Sequence, residues 1–284
     1  MEGDRCLMKI QYLGTAAAEG IPAMFCTCEL CRKTARAGSA EARCRSSVLI
    51  NDQILIDLTP DIYYQKMRWN LDLSQLEAVF VTHSHTDHFD GAELTRRSAA
   101  DYCKPAWERP LLVYGNRKVC GFGRRSLREE FGMEENPSIV FHELVPYETV
   151  KLCGLTVTAI PAQHDPQEDC LIYLIEDENS RFLYGNDTGL LLEETYTHLG
   201  NKPFDLISLD CTFGARKARE GRHMGFSENW EFLQELQKHG CYSKSTKVYA
   251  THFSHNCGML QQELEQEGSK YGIHAAYDGL ICII

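Results

Sequence analysis

One short segment of the sequence holds four side chains that bind divalent metals. In VFVTHSHTDHFDG, His83, His85, Asp87 and His88 lie close together, directly after the apolar run that ends at Val81. Neutral imidazole and carboxylate groups are the ligands that hydrolytic zinc, manganese or iron ions use. Because one open catalytic site needs fewer ligands than this segment supplies, we expect two adjacent metals. The alternative interpretation, a polar surface turn, leaves the clustering unexplained.

The segment contains the signature HxHxDH and resembles the metallo-β-lactamase superfamily, and further matches follow in chain order. AIPAQHD, FLYGNDTG and VYATHFSH place His164, Asp187 and His252 at the ends of strand-like runs. The resemblance implies seven ligands: three for each of two metals and one bridge between them. They are His83, His85 and His164; Asp87, His88 and His252; and the bridging Asp187. Asp87 is assigned to catalysis as well as to metal binding.

A second cluster of ligands lies near the start of the chain. MFCTCELC contains Cys26, Cys28 and Cys31, but three thiolates do not complete a tetrahedral zinc site. His255 lies three residues after His252, and three residues of chain span at most about 10 Å. If His252 binds an active-site metal, His255 can reach a neighbouring site and complete a Cys₃His set for structural zinc.

Two alternatives to this zinc site remain open at the level of sequence. The three cysteines could be free thiols beside an unrelated histidine. Cys44 and Cys257 are also possible substitutes for one of the four ligands. A redox pair is disfavoured, because no thioredoxin-like unit surrounds the cysteines.

The combination of motifs narrows the resemblance. YLGTAAAEGIP, FCTCELC, HSHTDH and THFSH together look like the phosphoribosyl cyclic phosphate phosphodiesterases of phosphonate breakdown. The likeness extends from about Tyr12 to the terminal AYDGLICI. It implies a zinc held by three cysteines and a histidine beside a dinuclear hydrolytic centre. The fold implied is α/β, a metallo-β-lactamase-like four-layer αββα sandwich in one domain over 1–284, with a zinc loop at about 24–45.

Phosphodiester hydrolysis also needs a proton for the leaving oxygen. His223 in GRHMGFS precedes a predicted helix, and the resemblance implies a catalytic histidine at this place. An exposed loop histidine is the alternative. Arg96, on the segment that follows His88, is a candidate for binding the substrate phosphate. Asp57 and Asp210 end strand-like runs and are candidates for orienting metal-bound histidines.

The elements that must position these residues are short strands and a few helices. Apolar runs such as MKIQYLG, QILIDL, LEAVFVTH, CLIYLIE, RFLYGND, FDLISLD and KVYATHF alternate with turn residues, as expected for strands. FSENWEFLQELQKHG has apolar residues at helical spacing, with Ser227 as its predicted N-cap, and NCGMLQQELEQEGSKYG is similar. The order predicts layered α/β sheets.

Composition excludes several classes of protein. The chain has 284 residues, 43% hydrophobic and 24% charged, which suits a sizeable core. Its net charge of −11 disfavours nucleic acid, so an anionic substrate needs local cations. The absence of a long apolar run argues against a membrane span, and acidic residues at the start argue against export. Thirteen cysteines without framework spacing indicate reduced thiols and a cytoplasmic location.

These features predict a metal-dependent phosphodiesterase that hydrolyses a small phosphodiester, linear or cyclic. Two divalent ions, zinc or manganese with iron as an alternative, would activate a hydroxide for attack on phosphorus, and a separate zinc would be structural. The expected partner is the small-molecule substrate, without membrane. A homodimer is among the oligomeric states that the sequence allows.

Four other functions remain as alternatives. Processing of tRNA 3′ ends uses related motifs, but typically with a protruding arm where this chain has only the segment 165–186. A lactonase or thioesterase would use the same metals on an acyl carbon. Proteins of pyrroloquinoline quinone biosynthesis share the N-terminal loop and cysteine cluster, but members tend to lack an intact dinuclear set. A non-catalytic binding module is also expected to have lost ligands.

Overall fold

The polypeptide forms two seven-stranded β-sheets packed face to face. The computed structural model describes residues 7–38, 41–98, 101–104, 109–218 and 221–284. The strands of the first sheet, in spatial order, are β14 (Ile281–Ile283), β1 (Lys9–Gly14), β2 (Ser47–Ile50), β3 (Ile54–Ile56), β4 (Ala78–Phe80), β5 (Leu111–Gly115) and β6 (Ile139–Glu143). Those of the second are β13 (His274–Ala275), β12 (Lys247–Thr251), β11 (Leu206–Asp210), β10 (Arg181–Gly185), β9 (Leu171–Glu176), β8 (Leu155–Pro161) and β7 (Thr149–Leu152).

Helices accompany the sheets throughout the described residues. They are α1 (Glu29–Ala37), α2 (Ile62–Trp69), α3 (Gly91–Thr95), α4 (Arg117–Phe131), α5 (Glu193–His198), α6 (Phe226–Lys238) and α7 (Gln261–Ser269), with short 3₁₀ turns at Leu73–Gln75, Arg96–Ser98 and His255–Cys257. None of the helices in this part of the chain is long and apolar enough to cross a bilayer.

Three hydrophobic cores separate the layers. In the first core, Leu127 of α4 and Val113 of β5 belong to one buried cluster. The second core lies between the sheets, where the rings of Phe80 and Tyr173 pack edge to face at 5.4 Å. The third joins the second sheet to α6, which contributes Phe232. Helix, sheet, sheet and helix therefore follow one another, and the predicted four-layer αββα fold is confirmed.

Strand direction decides where the site forms. Strands β3 to β6 run parallel in the first sheet, and β10 to β13 run parallel in the second. In open α/β sheets, ligands bind beyond the carboxyl ends of such strands. Asp57 directly follows β3, Asp187 follows shortly after β10, and His252 directly follows β12. The candidate residues therefore emerge at the edge where the parallel strands end.

The strand-like runs of the sequence each contain a strand, but some elements were not predicted. Strands β6, β7 and β13 and helices α1 to α5 are absent from the sequence-based expectations. The sequence of α4 contains two glycines, and because glycine has a low helix propensity, they argue against a helix at this place. One of them has a packing reason: a methyl group on Gly123 would lie 2.3 Å from a ring carbon of Phe141, so glycine lets α4 approach β6.

Helix α6 begins close to its predicted start, but with a different cap. The prediction of Ser227 as N-cap is wrong, because Gly225 occupies that position. The backbone N–H of Gly225 donates to the carboxylate of Glu228 at 3.0 Å, which secures the first turn. This start matters for function, since His223 lies just before it.

Candidate metal centres and active site

Three histidines meet at the first predicted metal position. His83 and His85 lie on the loop after β4, and His164 lies on the loop after β8. His83 Nε2 is 2.9 Å from His85 Nδ1, and His164 Nε2 is 3.3 Å from that same nitrogen. Three ring nitrogens that converge on one point cannot all form good hydrogen bonds with one another, because each N–H donor needs its own acceptor. One divalent ion can bind all three nitrogens.

The second predicted metal position has two carboxylates and two histidines. The ligand atoms of Asp87, His88, Asp187 and His252 lie within 4.8 Å of one another. Asp187 Oδ2 is 2.8 Å from His88 Nε2 and 3.4 Å from His83 Nε2, which belongs to the first group. Asp187 therefore lies between the two groups, where a bridging ligand must be.

Two nitrogens of this cluster make no well-formed hydrogen bond, although carboxylate oxygens lie close to them. Nε2 of His88 and Nε2 of His252 are buried and make no hydrogen bond of acceptable geometry. Buried polar atoms in folded proteins are normally satisfied, so such atoms require an explanation. A divalent ion within the cluster would satisfy both. The residues present thus fit the two-metal set that the sequence predicts, although their roles as ligands remain predictions.

A buried carboxylate from the first sheet orients one of these histidines. Asp57 Oδ2 lies 2.7 Å from His88 Nδ1, so Nε2 of the ring faces the cluster. Thr82 donates its backbone N–H to Asp57 Oδ1 at 2.8 Å and fixes the carboxylate. Burial raises the pKa of Asp57, against the opposing effects of His88 and these hydrogen bonds. The arrangement is the carboxylate–histidine pair that metal sites commonly use to fix ring orientation.

Three site residues adopt the left-handed backbone conformation. The φ angles are 64° for Asp57, 47° for Asp187 and 58° for His252. Residues other than glycine adopt this region at a cost of about 1–3 kcal/mol each, and such strain concentrates at functional sites. Here each strained residue comes at or just beyond a strand end, where the backbone turns its side chain into the site.

His223 lies beside the second cluster, as a proton donor must. Its Nδ1 is 2.9 Å from Asp210 Oδ2 and 3.3 Å from Asp187 Oδ1. Burial lowers the pKa of His223, but attraction to Asp210 and hydrogen bonds to both carboxylates outweigh it and raise that pKa to about 11. With Nδ1 engaged, Nε2 is the ring atom left for a substrate.

Asp210 links His223 to a candidate metal ligand. Its Oδ2 is also 3.3 Å from His252 Nδ1, and the hydroxyl of Thr212 lies 2.9 Å from the same nitrogen. The backbone N–H of Met224 donates to Asp210 Oδ1 at 2.8 Å. Asp210 therefore positions both histidines, which agrees with the hypothesis drawn from its place at the end of β11.

The cysteine cluster and His255 come together although most of the chain separates them. The sulfurs of Cys26, Cys28 and Cys31 lie 3.4, 3.5 and 3.5 Å from His255 Nδ1. A tetrahedral zinc with bonds of about 2.3 Å to sulfur and about 2.0 Å to nitrogen would separate S and N by about 3.5 Å. One ring nitrogen cannot hydrogen-bond to three sulfurs, so these residues fit zinc better than free thiols.

The surroundings of this cluster also favour a metal. His255 Nε2 lies 3.6 Å from Glu19 Oε1, the kind of carboxylate partner that supports a metal-bound histidine. The backbone N–H of Cys31 donates a hydrogen bond to Cys28 Sγ. This hydrogen bond, together with one between the Cys28 thiol and His255, lowers the pKa of Cys28 to about 6. The substitutes considered, Cys44 and Cys257, lie outside the four-ligand group.

Arg96 does not join the other candidates. Its guanidinium pairs with Glu130 at 3.4 Å and lies over the ring of Tyr102 at 5.4 Å. These contacts lend no support to a role in binding substrate phosphate.

The sequence analysis missed one residue that supports the metal loop. Glu168 accepts the backbone N–H of Ser84 at 3.0 Å and its hydroxyl at 2.8 Å. Ser84 lies between His83 and His85, so this carboxylate braces the loop at its ligands. No motif marks Glu168, because the contact depends on the packing of two distant loops.

The chain is similar in sequence to several known proteins. The chain is 30% identical over 167 residues to an octanoyltransferase of Porphyromonas gingivalis; the match covers 56% of the chain and only 31% of that enzyme, so the chain spans about a third of this relative's length. It is 24% identical to the coenzyme PQQ synthesis protein B of Methylococcus capsulatus, covering 98% of this chain and 100% of that protein.

A solved structure gives the same fold. The crystal structure of a new diphosphatase from the PhnP family has a TM-score of 0.73, with 23% identity, and the match covers 98% of this chain and 97% of that one. The model of the β-lactamase superfamily domain matches residues 52–253, a range that includes the complete hydrolytic ligand set from His83 to His252. The chain therefore belongs to the β-lactamase superfamily.

Proposed function

We propose that this protein is a phosphodiesterase that hydrolyses a small phosphodiester, linear or cyclic, with a separate structural zinc. The observation that carries the proposal is the position of His223 beside a complete ligand set, with its Nδ1 at 2.9 Å from Asp210. A phosphodiester leaves as an alkoxide that needs a proton, and a histidine so held can supply it. The motif resemblance to phosphoribosyl cyclic phosphate phosphodiesterases supports the same conclusion.

In this proposal, each residue of the site has a defined task. His83, His85 and His164 would hold one divalent ion and Asp87, His88 and His252 the other, with Asp187 shared. Bound ions would supply the Lewis acidity that activates water and stabilises phosphate oxygens. Asp57 and Asp210 keep the rings of His88 and His252 oriented. His223 carries its transferable proton on Nε2 and gives it to the leaving oxygen.

Two features weigh against the tRNA-processing alternative. The segment 165–186 contains the antiparallel strands β9 and β10, whose register pairs Arg181 with Glu176, so a tight hairpin takes the place of a protruding arm. The net charge of −11 also opposes binding of a large polyanion.

The remaining alternatives make different demands on the site. A protein like coenzyme PQQ synthesis protein B shares length and fold with this chain, but the intact ligand set here favours hydrolysis. A lactonase or thioesterase would use the same ligands. A thiolate leaves without a proton donor such as His223, whereas a lactone expels an alkoxide that needs one, so His223 does not distinguish a lactonase from a phosphodiesterase. Substrate assays must separate these activities.

The test is an activity screen on purified, metal-loaded protein. We expect hydrolysis of bis(p-nitrophenyl) phosphate and of small cyclic phosphodiesters, loss of activity on chelation, and recovery with manganese or zinc. Metal analysis of the same sample should find two exchangeable ions and one tightly held zinc per chain. Turnover confined to lactones or thioesters would show that the assignment to phosphorus is wrong.

A further inference from the structure

The strongest concentration of positive charge next to the site lies on α4. An open cleft of about 600 Å³ is lined by Arg117, Lys118, Phe122, Arg125, Arg128 and Glu168, among others. The cationic positions recur at helical spacing, so they share one face of α4. From Lys118 to Arg128 the helix rises about 15 Å. In a chain of net charge −11, this row of cations requires an explanation.

The cleft lies close to the candidate hydrolytic centre, with the carboxylate of Asp165 between them. Asp165 Oδ2 lies 3.5 Å from His85 Nε2 and 3.9 Å from Lys118 Nζ. Glu168, in the wall of the cleft, braces the metal loop through Ser84. A ligand that reaches the metals beside His85 can therefore extend along α4 without crossing the molecule.

Part of the charge of the cleft is not neutralised by the protein. Lys118 pairs with Glu168 at 3.4 Å, and Arg128 pairs with Glu134 at 3.2 Å. Arg117 and Arg125, by contrast, have no ion pair within the described residues. Asp169 adds a further carboxylate to the lining, which leaves the cations in excess.

We propose that this cleft, which we call the α4 cleft, binds further phosphate groups of an oligophosphate substrate whose reacting phosphate lies at the metals. Arg117 and Arg125 are its specificity-determining residues. Arginine suits this task, because its planar guanidinium binds phosphate oxygens through paired hydrogen bonds. The guanidinium of Arg125 lies 4.8 Å above the ring of Phe122, which supports it on the cleft wall. The cleft also supplies the local cations that the acidic chain needs, a role that Arg96 does not fill.

The proposal rests on the proposed function for the reacting bond, but phosphate binding in the cleft can be measured separately. In metal-saturated, full-length protein hydrolysing bis(p-nitrophenyl) phosphate, inhibition by orthophosphate and by tripolyphosphate is compared. Both anions reach the metals, and only tripolyphosphate extends into the cleft. In Arg117→Ala/Arg125→Ala the inhibition constant of tripolyphosphate should rise about tenfold or more. That of orthophosphate, and kcat and KM for the small substrate, should stay within about twofold.

Arg124 supplies the matched control. It precedes Arg125 on the same helix, but it pairs with Glu143 at 3.3 Å and lies outside the lining of the α4 cleft. Arg124→Ala should leave inhibition by tripolyphosphate unchanged. Because salt screens the attraction between charges, removal of two cleft cations should also weaken the salt dependence of tripolyphosphate affinity, whereas the control should not.

Two results would overturn the proposal. One is an equal rise of the inhibition constant of tripolyphosphate in the double variant and in Arg124→Ala. The other is an equal rise, in the double variant, of the inhibition constants of orthophosphate and tripolyphosphate. If the wild-type protein hydrolyses no phosphodiester, the proposed function fails, and calorimetric titration of tripolyphosphate into the metal-loaded protein tests the α4 cleft by itself. Affinity that falls in the double variant supports the cleft. Affinity that is unchanged refutes it.

Discussion

The two metal clusters of this protein are assembled in opposite ways. The predicted hydrolytic ligands come from loops that follow strands of both sheets, and five of the seven are buried. The predicted zinc ligands Cys26, Cys28 and Cys31 come from one turn at the start of α1, with only His255 from a distance, and Cys28 is exposed. The first site therefore requires the complete fold, whereas three-quarters of the second is a local structure.

The means of orienting ligands differ in the same way. At the zinc site, nearby backbone N–H groups donate to sulfur, from Ala23 to Cys31 at 3.3 Å and from Cys28 to Cys26 at 3.4 Å. At the hydrolytic site, buried carboxylates from distant strands hold the rings, and residues are kept in left-handed conformations. The cysteine cluster is thus stabilised by its own loop, whereas the candidate hydrolytic site depends on the stability of the whole fold.

Loss of a hydrolytic ligand should have the largest effect on turnover. His83→Ala removes a ring from the first group, and because the ligands act as a unit we expect a fall of about 10⁴-fold or more. Metal analysis should find the hydrolytic metals depleted and the tight zinc retained. Loss of the zinc as well would contradict the independence of the two clusters.

The next largest effect should come from His223. His223→Ala should keep both hydrolytic metals and the fold, since no ligand is lost, but lower turnover by about 10²–10⁴-fold. The decrease should be smaller for p-nitrophenyl esters than for alkyl esters, because a good leaving group needs less protonation. Equal decreases for both would point to phosphate binding instead.

A smaller effect is expected where the ring-orienting carboxylate is altered. In Asp57→Asn an amide N–H₂ can face Nδ1 of His88, so the ring must change tautomer or turn. Metal affinity or turnover should fall about 10–100-fold, as for comparable partners of metal ligands. Competition with a graded chelator measures the affinity, and the position of the melting transition reports whether the fold is intact.

Changes at the zinc cluster should affect stability more than catalysis. Cys28→Ser and His255→Ala should each remove one zinc per chain and lower the melting temperature by several degrees, since a closed site contributes binding free energy to the fold. Turnover should fall modestly, because His255 and His252 share one short segment. Cys103→Ser, at a free thiol outside the cluster, is the control. If His255→Ala keeps the zinc that Cys28→Ser loses, His255 is not the fourth ligand.

The smallest effect should come from Glu19, the carboxylate partner of His255. Glu19→Gln keeps the size of the side chain and removes its charge, so zinc affinity should fall about tenfold, at the low end for such partners. Turnover should not change measurably. A loss of zinc as large as that in Cys28→Ser would mean that Glu19 is itself a ligand.

Much of the candidate hydrolytic site could be predicted from sequence, because metal binding requires particular residue types and these occur along the chain in the order of the superfamily motifs. HSHTDH, His164, Asp187 and His252 could be recognised without any contact being known. Most strands could be predicted for a related reason, since buried strands in these sheets are short apolar runs, whereas the partly exposed β6 and β7 are not. Helix α4 could not, because the reason for Gly123 is seen only once β6 packs against the helix.

The sequence by itself thus determined the residue types: the metal ligands, the clustered cysteines and the apolar strands. Only the tertiary structure decided what those residues meet. It paired Asp57 with His88 and Asp210 with His223. It placed Glu168 against the loop that carries His83 and His85, and it paired Arg96 with Glu130. The cations of α4, in contrast, line a cleft near the site. The physical reason is that the ability of a residue to bind a metal depends on its own functional group, which the sequence gives directly. The orientation of a side chain and its charge partner depend on residues far apart in the sequence, which only the packing of the two sheets brings together.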